Sequence, residues 1–282
     1  MALKLQASGI SGNLYNLITD YLSGRKQYVE IEGQRSTEAD VRFGVPQGSI
    51  LGPRLFSIYV NDLPEVPSSG NLEMFADDTT FYYSGNSVDD VYANIQSSLE
   101  EIAKWCNRNY LTIHPDKTEV MLLTRINFIG PLRPIKLGDN VINYVSHSHS
   151  LGFNIDNQLN WGHHIKDLET SMAKKVKQLR RFKSLPSPIL ESIFYKGILP
   201  SVTYGTSVWG NCSVAKLAHL EKIHLSAAKL IFKLPETPGS LTGLPSSWKP
   251  ISYLYKLKIL CLTHKILRNY VLSSRKVPFL EI

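Results

Sequence analysis

Apolar positions along this chain change rhythm near residue 160. Before that point, short apolar stretches of differing period alternate with turn residues. In residues 11–22 (SGNLYNLITDYL), Leu14, Leu17, Ile18 and Leu22 fall at helical spacing behind Ser11, a candidate N-cap. Gly24-Arg25-Lys26 ends that helix; Tyr28, Val29 and Ile31 predict a strand, and Gly33 turns the chain. Residues 44–53 (GVPQGSILGP) hold three glycines and two prolines, which predicts a loop or broken turn. Residues 54–63 (RLFSIYVNDL) predict a buried helix. In 72–83 (LEMFADDTTFYY), apolar stretches flank Asp77-Asp78, the pattern of a β-hairpin with its acids at or near the turn.

The clearest helix covers 87–106. Val88, Val91, Tyr92, Ile95, Leu99, Ile102 and Trp105 form an apolar stripe, and Ser87 with Asp90 resembles a capping box. Residues 118–124 (TEVMLLT) and 150–155 read as strands, with Pro131 and Pro134 marking a connecting loop. From Trp161 on, segments 189–204, 214–234 and 250–272 carry helical spacing. Residues 235–250 (PETPGSLTGLPSSWKP) predict a linker or long loop. No internal repeat interrupts this order. The fold class is α+β, mixed over 1–158 and helical over 159–282.

Composition narrows the classes. With 282 residues, 43% apolar and 20% charged, the chain is globular rather than disordered or fibrous. Net charge is +7, unevenly spread. Residues 1–100 hold six Lys/Arg against thirteen Asp/Glu, leaving a net +14 for the remainder. An acidic front and a basic back suit a cation site followed by a nucleic-acid grip, or simply unevenly solvated surfaces. Three distant cysteines give no disulfide framework or zinc site, so an intracellular chain, nuclear or cytoplasmic, is expected. Met1 is followed by no signal-peptide pattern, and no apolar run reaches the ~18 residues of a membrane span.

Two motifs invite chemistry. Adjacent carboxylates in an apolar setting need a cation, a proton or strong donors, and a divalent metal would serve both. Asp77-Asp78 alone reads more readily as a solvated turn without a metal. In Pro46-Gln47-Gly48-Ser49 the glycine lets backbone approach a ligand, and Gln47 offers both donor and acceptor; a plain surface turn is the alternative.

Order and spacing add more. GVPQGSILGPRLFSIYVNDLP (44–64), FADDTTFY (75–82), NRNYLTIHPDKTEVMLLT (107–124) and LGFNIDNQLNWGHHI (151–165) together resemble the reverse transcriptases of non-LTR (LINE-like, Jockey-type) retrotransposons. The likeness continues through IFYKGILPSVTYGTSVWG (193–210) and LEKIHLSAAKLIFKLP (220–235). It implies an RNA-directed DNA polymerase with a palm bearing an antiparallel hairpin (1–158) and a helical thumb with C-terminal extension (159–282). Asp77 and Asp78 match the catalytic acid pair that holds Mg²⁺ or Mn²⁺. Pro46, Gln47 and Gly48 match the segment lining the nucleotide and template pocket, and Lys117 a basic residue near the incoming triphosphate. Leu151 and Gly152 match the hairpin that positions the primer end. The implied partners are RNA template, DNA primer and dNTP, with no membrane and no stable protein partner.

In that family an AFD-x-V-x-H strand precedes a helix resembling ALKLQASGI, within which Met1 falls. The resemblance therefore implies an N-terminally truncated palm, missing one metal-binding aspartate and a central strand. A catalytically incomplete chain with an exposed sheet edge is expected; a non-catalytic nucleic-acid-binding remnant of a decayed element is the alternative. Asp20, Asp40 and Asp62 do not replace the missing acid, and Asp62 is expected to cap a turn. Lys174, Lys177 and Arg181, in a run with Lys175, Arg180 and Lys183, are candidates to grip phosphates, with a solvated helix face as the alternative. His147, His149, His163 and His164 show no zinc-type spacing, and Trp161 and Trp209 are expected in the core.

Overall fold

The computed structural model describes residues 1–124, 130–235 and 243–268. The chain forms two compact units, Met1–Val120 with Ile129–Tyr144, and Met121–Phe128 with Val145–Ile282. Helices and short strands mix in the first; helices dominate the second.

The first unit opens with helices α1 (Ala2–Ala7) and α2 (Gly12–Leu22). The strand expected around Tyr28–Ile31 is divided. Lys26–Gln27 (β1) pairs with Ala39–Asp40 (β4), and Glu30–Ile31 (β2) with Gln34–Arg35 (β3), all antiparallel. Between the two pairs the Val29 amide donates to the Ser36 hydroxyl, diverting the ladder. Glu32 and Gly33 both have positive φ, the requirement of a tight two-residue hairpin turn.

Helix α3 (Gly52–Val60) starts two residues before the expected helix, because Pro53 suits its first turn. It is amphipathic, not buried all round: Leu55 and Val60 are buried while Arg54 and Ser57 face solvent. Leu55 joins Leu5 and Ile18 in one small core, with Val45 packed against it. Val60 joins a second core with Leu63, Leu72, Ile102, Trp105 and Cys106. That second core fixes strands β5 (Asn71–Phe75) and β6 (Asp78–Tyr82) against helix α4 (Val88–Arg108).

Ser87 caps α4 by accepting from the Asp90 amide at 3.1 Å. The Asp90 carboxylate turns to Tyr83 and Asn94. The expected strand 118–124 shrinks to Glu119–Val120 (β7), because its partner β10 (Asn143–Tyr144) is also only two residues long. Lys136–Leu137 (β8) and Asn140–Val141 (β9) form a ribbon held to α4 through Gln96, which both donates to and accepts from Lys136 backbone. Among the described residues all sheets are two-stranded, and neither edge of β5–β6 is covered by a third strand.

The second unit begins with the hairpin β11 (His147–Ser150) and β12 (Phe153–Asp156), longer than the single strand expected. Helices α5 (Gly162–Leu179), α6 (Ser187–Ile193), α7 (Leu199–Thr203), α8 (Thr206–Trp209), α9 (Val214–Ile231) and α10 (Ile251–Leu267) follow. The expected helix 189–204 is broken by a wide turn at Phe194–Ile198. Pro200 has no N–H to continue the ladder there. Trp209, Phe194, Leu190, Leu220 and Ile231 are fully buried in the main core. Within the expected linker 235–250, Trp248 is buried in that core, so the described part packs down rather than floating. Residues 236–242, and 269–272 of the last expected helix, lie outside the described residues. No described helix is long and apolar enough to cross a membrane.

Candidate functional site

The acid pair sits at the tip of the β5–β6 hairpin. Leu72 is buried and Met74 and Phe81 half-buried on one face, alternating with exposed Asn71, Glu73 and Phe75. Phe75 pairs with Asp78, closing a two-residue turn of Ala76-Asp77. Asp77 therefore lies in the turn and Asp78 is the first residue of β6. Ala76 has φ 55°, a left-handed conformation that costs an ordinary residue ~1–3 kcal/mol. Strain of that kind persists only where surrounding pairing fixes it, as the five-residue ladder does here.

Both carboxylates are exposed. The flanking apolar residues do not bury them, so burial creates no demand for a counter-charge, contrary to the expectation from their apolar neighbours. Their hard, adjacent oxygens suit Mg²⁺, which is commonly held by one or two carboxylates together with waters and phosphates. No cluster of three or more His, Cys, Asp or Glu among the described residues is placed to hold a metal. The pair thus fits as part of a metal site that needs further oxygen ligands.

Pro46–Ser49 is a turn, with the Ser49 amide donating to the Pro46 carbonyl at 3.3 Å and Gly48 at φ +79°. That φ is the one a type II turn reserves for glycine. Gln47 is exposed at its corner, while Val45 anchors the loop in the α1–α2–α3 core. Lys117 ends a single 3₁₀ turn, Pro115–Lys117, and is exposed. All of these belong to the first unit. No hydrogen bond or ion pair among the described residues joins Gln47, Asp77, Asp78 and Lys117.

Leu151-Gly152 lies in the second unit, as the turn of β11–β12. Ser150 pairs with Phe153 across it, and both turn residues have positive φ, 48° and 84°. Glycine takes this readily; for Leu151 it costs ~1–2 kcal/mol. The Tyr204 hydroxyl donates to the Leu151 carbonyl at 3.1 Å. No sequence signal links residues 53 positions apart in this way.

Lys174, Lys177 and Arg181 are exposed on or just beyond α5. Lys175 in the same run donates to Ser201 at 2.7 Å, so the run is not one uniform solvated face. Lys177 also lines a groove of about 380 Å³ between α5 and α9, with Arg180, Lys222 and Ser226 over Val176 and Ile223. Lys222 carries no signal in the local sequence, because folding alone brings α9 beside α5.

Of His147, His149, His163 and His164, the last is packed in the core and the other three are exposed. His164 is buried, ringed by Phe153, Trp161 and Trp209 at 5.5, 6.2 and 5.8 Å between centroids. Its Nδ1 accepts from the Asn154 amide, and its Nε2 has no partner. His147 and His163 stack at 4.8 Å. Burial pushes the His164 pKa below its ordinary value of 6.5, His149 adds to this, and Asp167 opposes it. Because the folded form resists the proton, stability is lost as pH falls from about 6.5 toward the lower folded pKa. Thermal unfolding from pH 8 to 5 should therefore show a falling melting temperature below about 6.5 that His164→Phe largely removes. An unchanged pH slope in that variant would contradict this role.

Asp62 does not cap with its side chain. It accepts from Lys4 Nζ at 2.6 Å and from Trp105 Nε1 at 3.2 Å. Partial burial pushes its carboxyl upward, but the bonds from Lys4 and Trp105 outweigh this and hold it below the usual range.

Comparison with known proteins adds a common thread. The sequence profile described as "Reverse transcriptase (RNA-dependent DNA polymerase)" matches residues 3–155. The chain is 27% identical over 232 residues to "Probable RNA-directed DNA polymerase from transposon BS" of Drosophila melanogaster, covering 78% of this chain and 26% of that protein. It is 28% identical over 239 residues to "RNA-directed DNA polymerase from mobile element jockey" of the same fly, covering 80% and 25%. A "Retrovirus-related Pol polyprotein from type-1 retrotransposable element R1 2" of Nasonia vitripennis is 29% identical over 181 residues, covering 59% and 43%. The chain spans about a quarter of the length of the two fly relatives.

Proposed function

This chain belongs to the reverse transcriptase (RNA-dependent DNA polymerase) family, among those of non-LTR retrotransposons, and from that premise we propose that it forms part of an RNA-directed DNA polymerase whose metal-binding tip is Asp77-Asp78. The observation that carries this is the β5–β6 hairpin, which holds two exposed carboxylates at a strained turn built on a packed base. In this reading residues 1–158 act as a partial palm and 159–282 as a thumb. Mg²⁺ or Mn²⁺ bound there would supply the charge that activates a primer 3′-hydroxyl and neutralises a triphosphate.

The chain's own residues supply position. Asp77 would be the principal metal ligand, with Asp78 supporting it from the first strand position. The Pro46-Gln47-Gly48 turn would present Gln47 and bare backbone to the nucleotide and template. Lys117 would sit toward the triphosphate, a compact cation suited to phosphate oxygens. Leu151-Gly152 would position the primer end. Further oxygen ligands would have to complete the site, since the described residues place no third acid beside the pair.

Lys174, Lys177 and Arg181 would grip the template–primer duplex. Neutralised phosphates release counterions, so affinity should fall steeply with salt. Titrating an RNA–DNA hybrid at about 50 and 200 mM salt should show a clear negative slope of log affinity on log salt. Changing all three residues to Gln should cut affinity and make that slope shallower by about two to three, roughly one for each phosphate no longer neutralised. An unchanged slope would remove these residues from the interface.

A further inference from the structure

The Leu151-Gly152 turn is held by one exposed aromatic side chain from another part of the same unit. Leu151 occupies a conformation that Asn or Gly would take without strain, and its side chain is exposed. Turns of this type normally need no external support when Gly or Asn fills them. Here the Tyr204 ring stacks on Phe153, 5.2 Å between centroids at 17°, and its hydroxyl donates to the Leu151 carbonyl. A Cβ at Gly152 would lie 3.3 Å from the Tyr204 ring, so the ring lies against the turn itself.

Tyr204 is in turn fixed from beneath. Its carbonyl accepts from Nε1 of the fully buried Trp209 at 2.9 Å. The next residue, Gly205, has φ +57°, and a Cβ there would meet the Phe153 ring at 2.2 Å. A glycine at 205 is what lets the Phe153 ring close. Tyr204 itself is 55% exposed, so burial does not explain its position. The specific tie is the hydroxyl.

We infer that Tyr204 is a positioning residue, which holds the strained turn so that the Leu151 side chain is presented to the terminal nucleotide of a nucleic-acid primer. This rests on the primer-end reading of Leu151-Gly152 given above. It adds the residue that makes that reading mechanically workable. A strained turn without such a tie would relax to other conformers and present no fixed surface.

The test uses the 282-residue chain and Tyr204→Phe, which keeps the stack and removes the hydroxyl. Amide exchange at Phe153, which closes the turn against Ser150, should speed up about threefold to tenfold in the variant, the scale of one hydrogen bond. The second arm uses an RNA template annealed to a DNA primer ending in 4-thiothymidine, irradiated and mapped by mass spectrometry. The unaltered chain should cross-link within residues 151–153. Tyr204→Phe should lose at least about two-thirds of that yield, with hybrid affinity kept and the melting temperature lowered by no more than a few degrees, a pattern that a merely structural role would not give. If the unaltered chain cross-links elsewhere, the primer-end reading fails and the functional part of the inference falls with it. If it cross-links at the turn and Tyr204→Phe matches it in yield, the reading stands and the role of Tyr204 is overturned. Unchanged exchange at Phe153 would overturn the tie itself.

Discussion

No primer extension is expected from the 282-residue chain on an RNA template, with either Mg²⁺ or Mn²⁺. Two dications held ~4 Å apart need several oxygen ligands, and among the described residues no third acid joins Asp77 and Asp78. Loss of a group that merely orients a metal ligand commonly costs about 10–100-fold, so lacking a ligand outright should cost at least ~100-fold. The assay is single-nucleotide extension of a labelled primer, run beside Asp77→Ala. Extension by the unaltered chain that vanishes in Asp77→Ala would overturn the expectation and show that the pair suffices. In a longer chain that does extend primers, Asp77→Ala should reduce the rate by the same factor or more, while hybrid binding through Lys174, Lys177 and Arg181 persists.

Trp209→Ala should produce the largest loss of stability. The indole is fully buried in the main core of the second unit, packed edge-on to His164 at 5.8 Å between centroids. Removing a buried large aromatic typically costs ~3–5 kcal/mol, through forfeited transfer energy and the cavity left behind. The substitution also leaves the Tyr204 carbonyl without its donor. Trp209→Phe retains most of the volume and should lose only ~1–3 kcal/mol, chiefly for that carbonyl. Denaturant unfolding followed by circular dichroism measures both. A loss below ~1 kcal/mol for Trp209→Ala would mean that the second unit does not depend on this core.

Elements with a strong local period were legible in the sequence. The stripe from Val88 to Trp105 pointed to α4, and apolar residues flanking Asp77-Asp78 pointed to the hairpin with its acids at the turn. The basic run was legible as a run, but its division was not. Lys175 turns to Ser201 and Lys177 shares a groove with Lys222, because helices meet that are distant in sequence. Strand length was also hidden. Thr118–Thr124 is apolar enough to extend, yet pairing stops where its partner does. Exposure of the acid pair was misread for a similar reason. Apolar neighbours show that a strand has a buried face, but a residue at the turn lies beyond that face. The Tyr204–Leu151 tie could not be read at all, since an exposed tyrosine after a helix is ordinary until the opposing turn is seen.

The Lys4–Asp62–Trp105 node has a consequence for synthesis. The Lys4 ammonium pairs with Asp62 and lies 4.5 Å from the centre of the Trp105 ring. About a hundred residues separate the first member from the last. At ~5–20 residues per second, a ribosome needs roughly 5–20 s to deliver Trp105 after Lys4. Throughout that interval α1 lacks its tie to Trp105, and Val60 of α3, with Leu63 and Leu72, lacks the Ile102, Trp105 and Cys106 it packs on in the folded unit. The early helices therefore face their greatest risk of sticking on the ribosome, before α4 is complete. Holding factors that bind nascent apolar helices would matter most in that window.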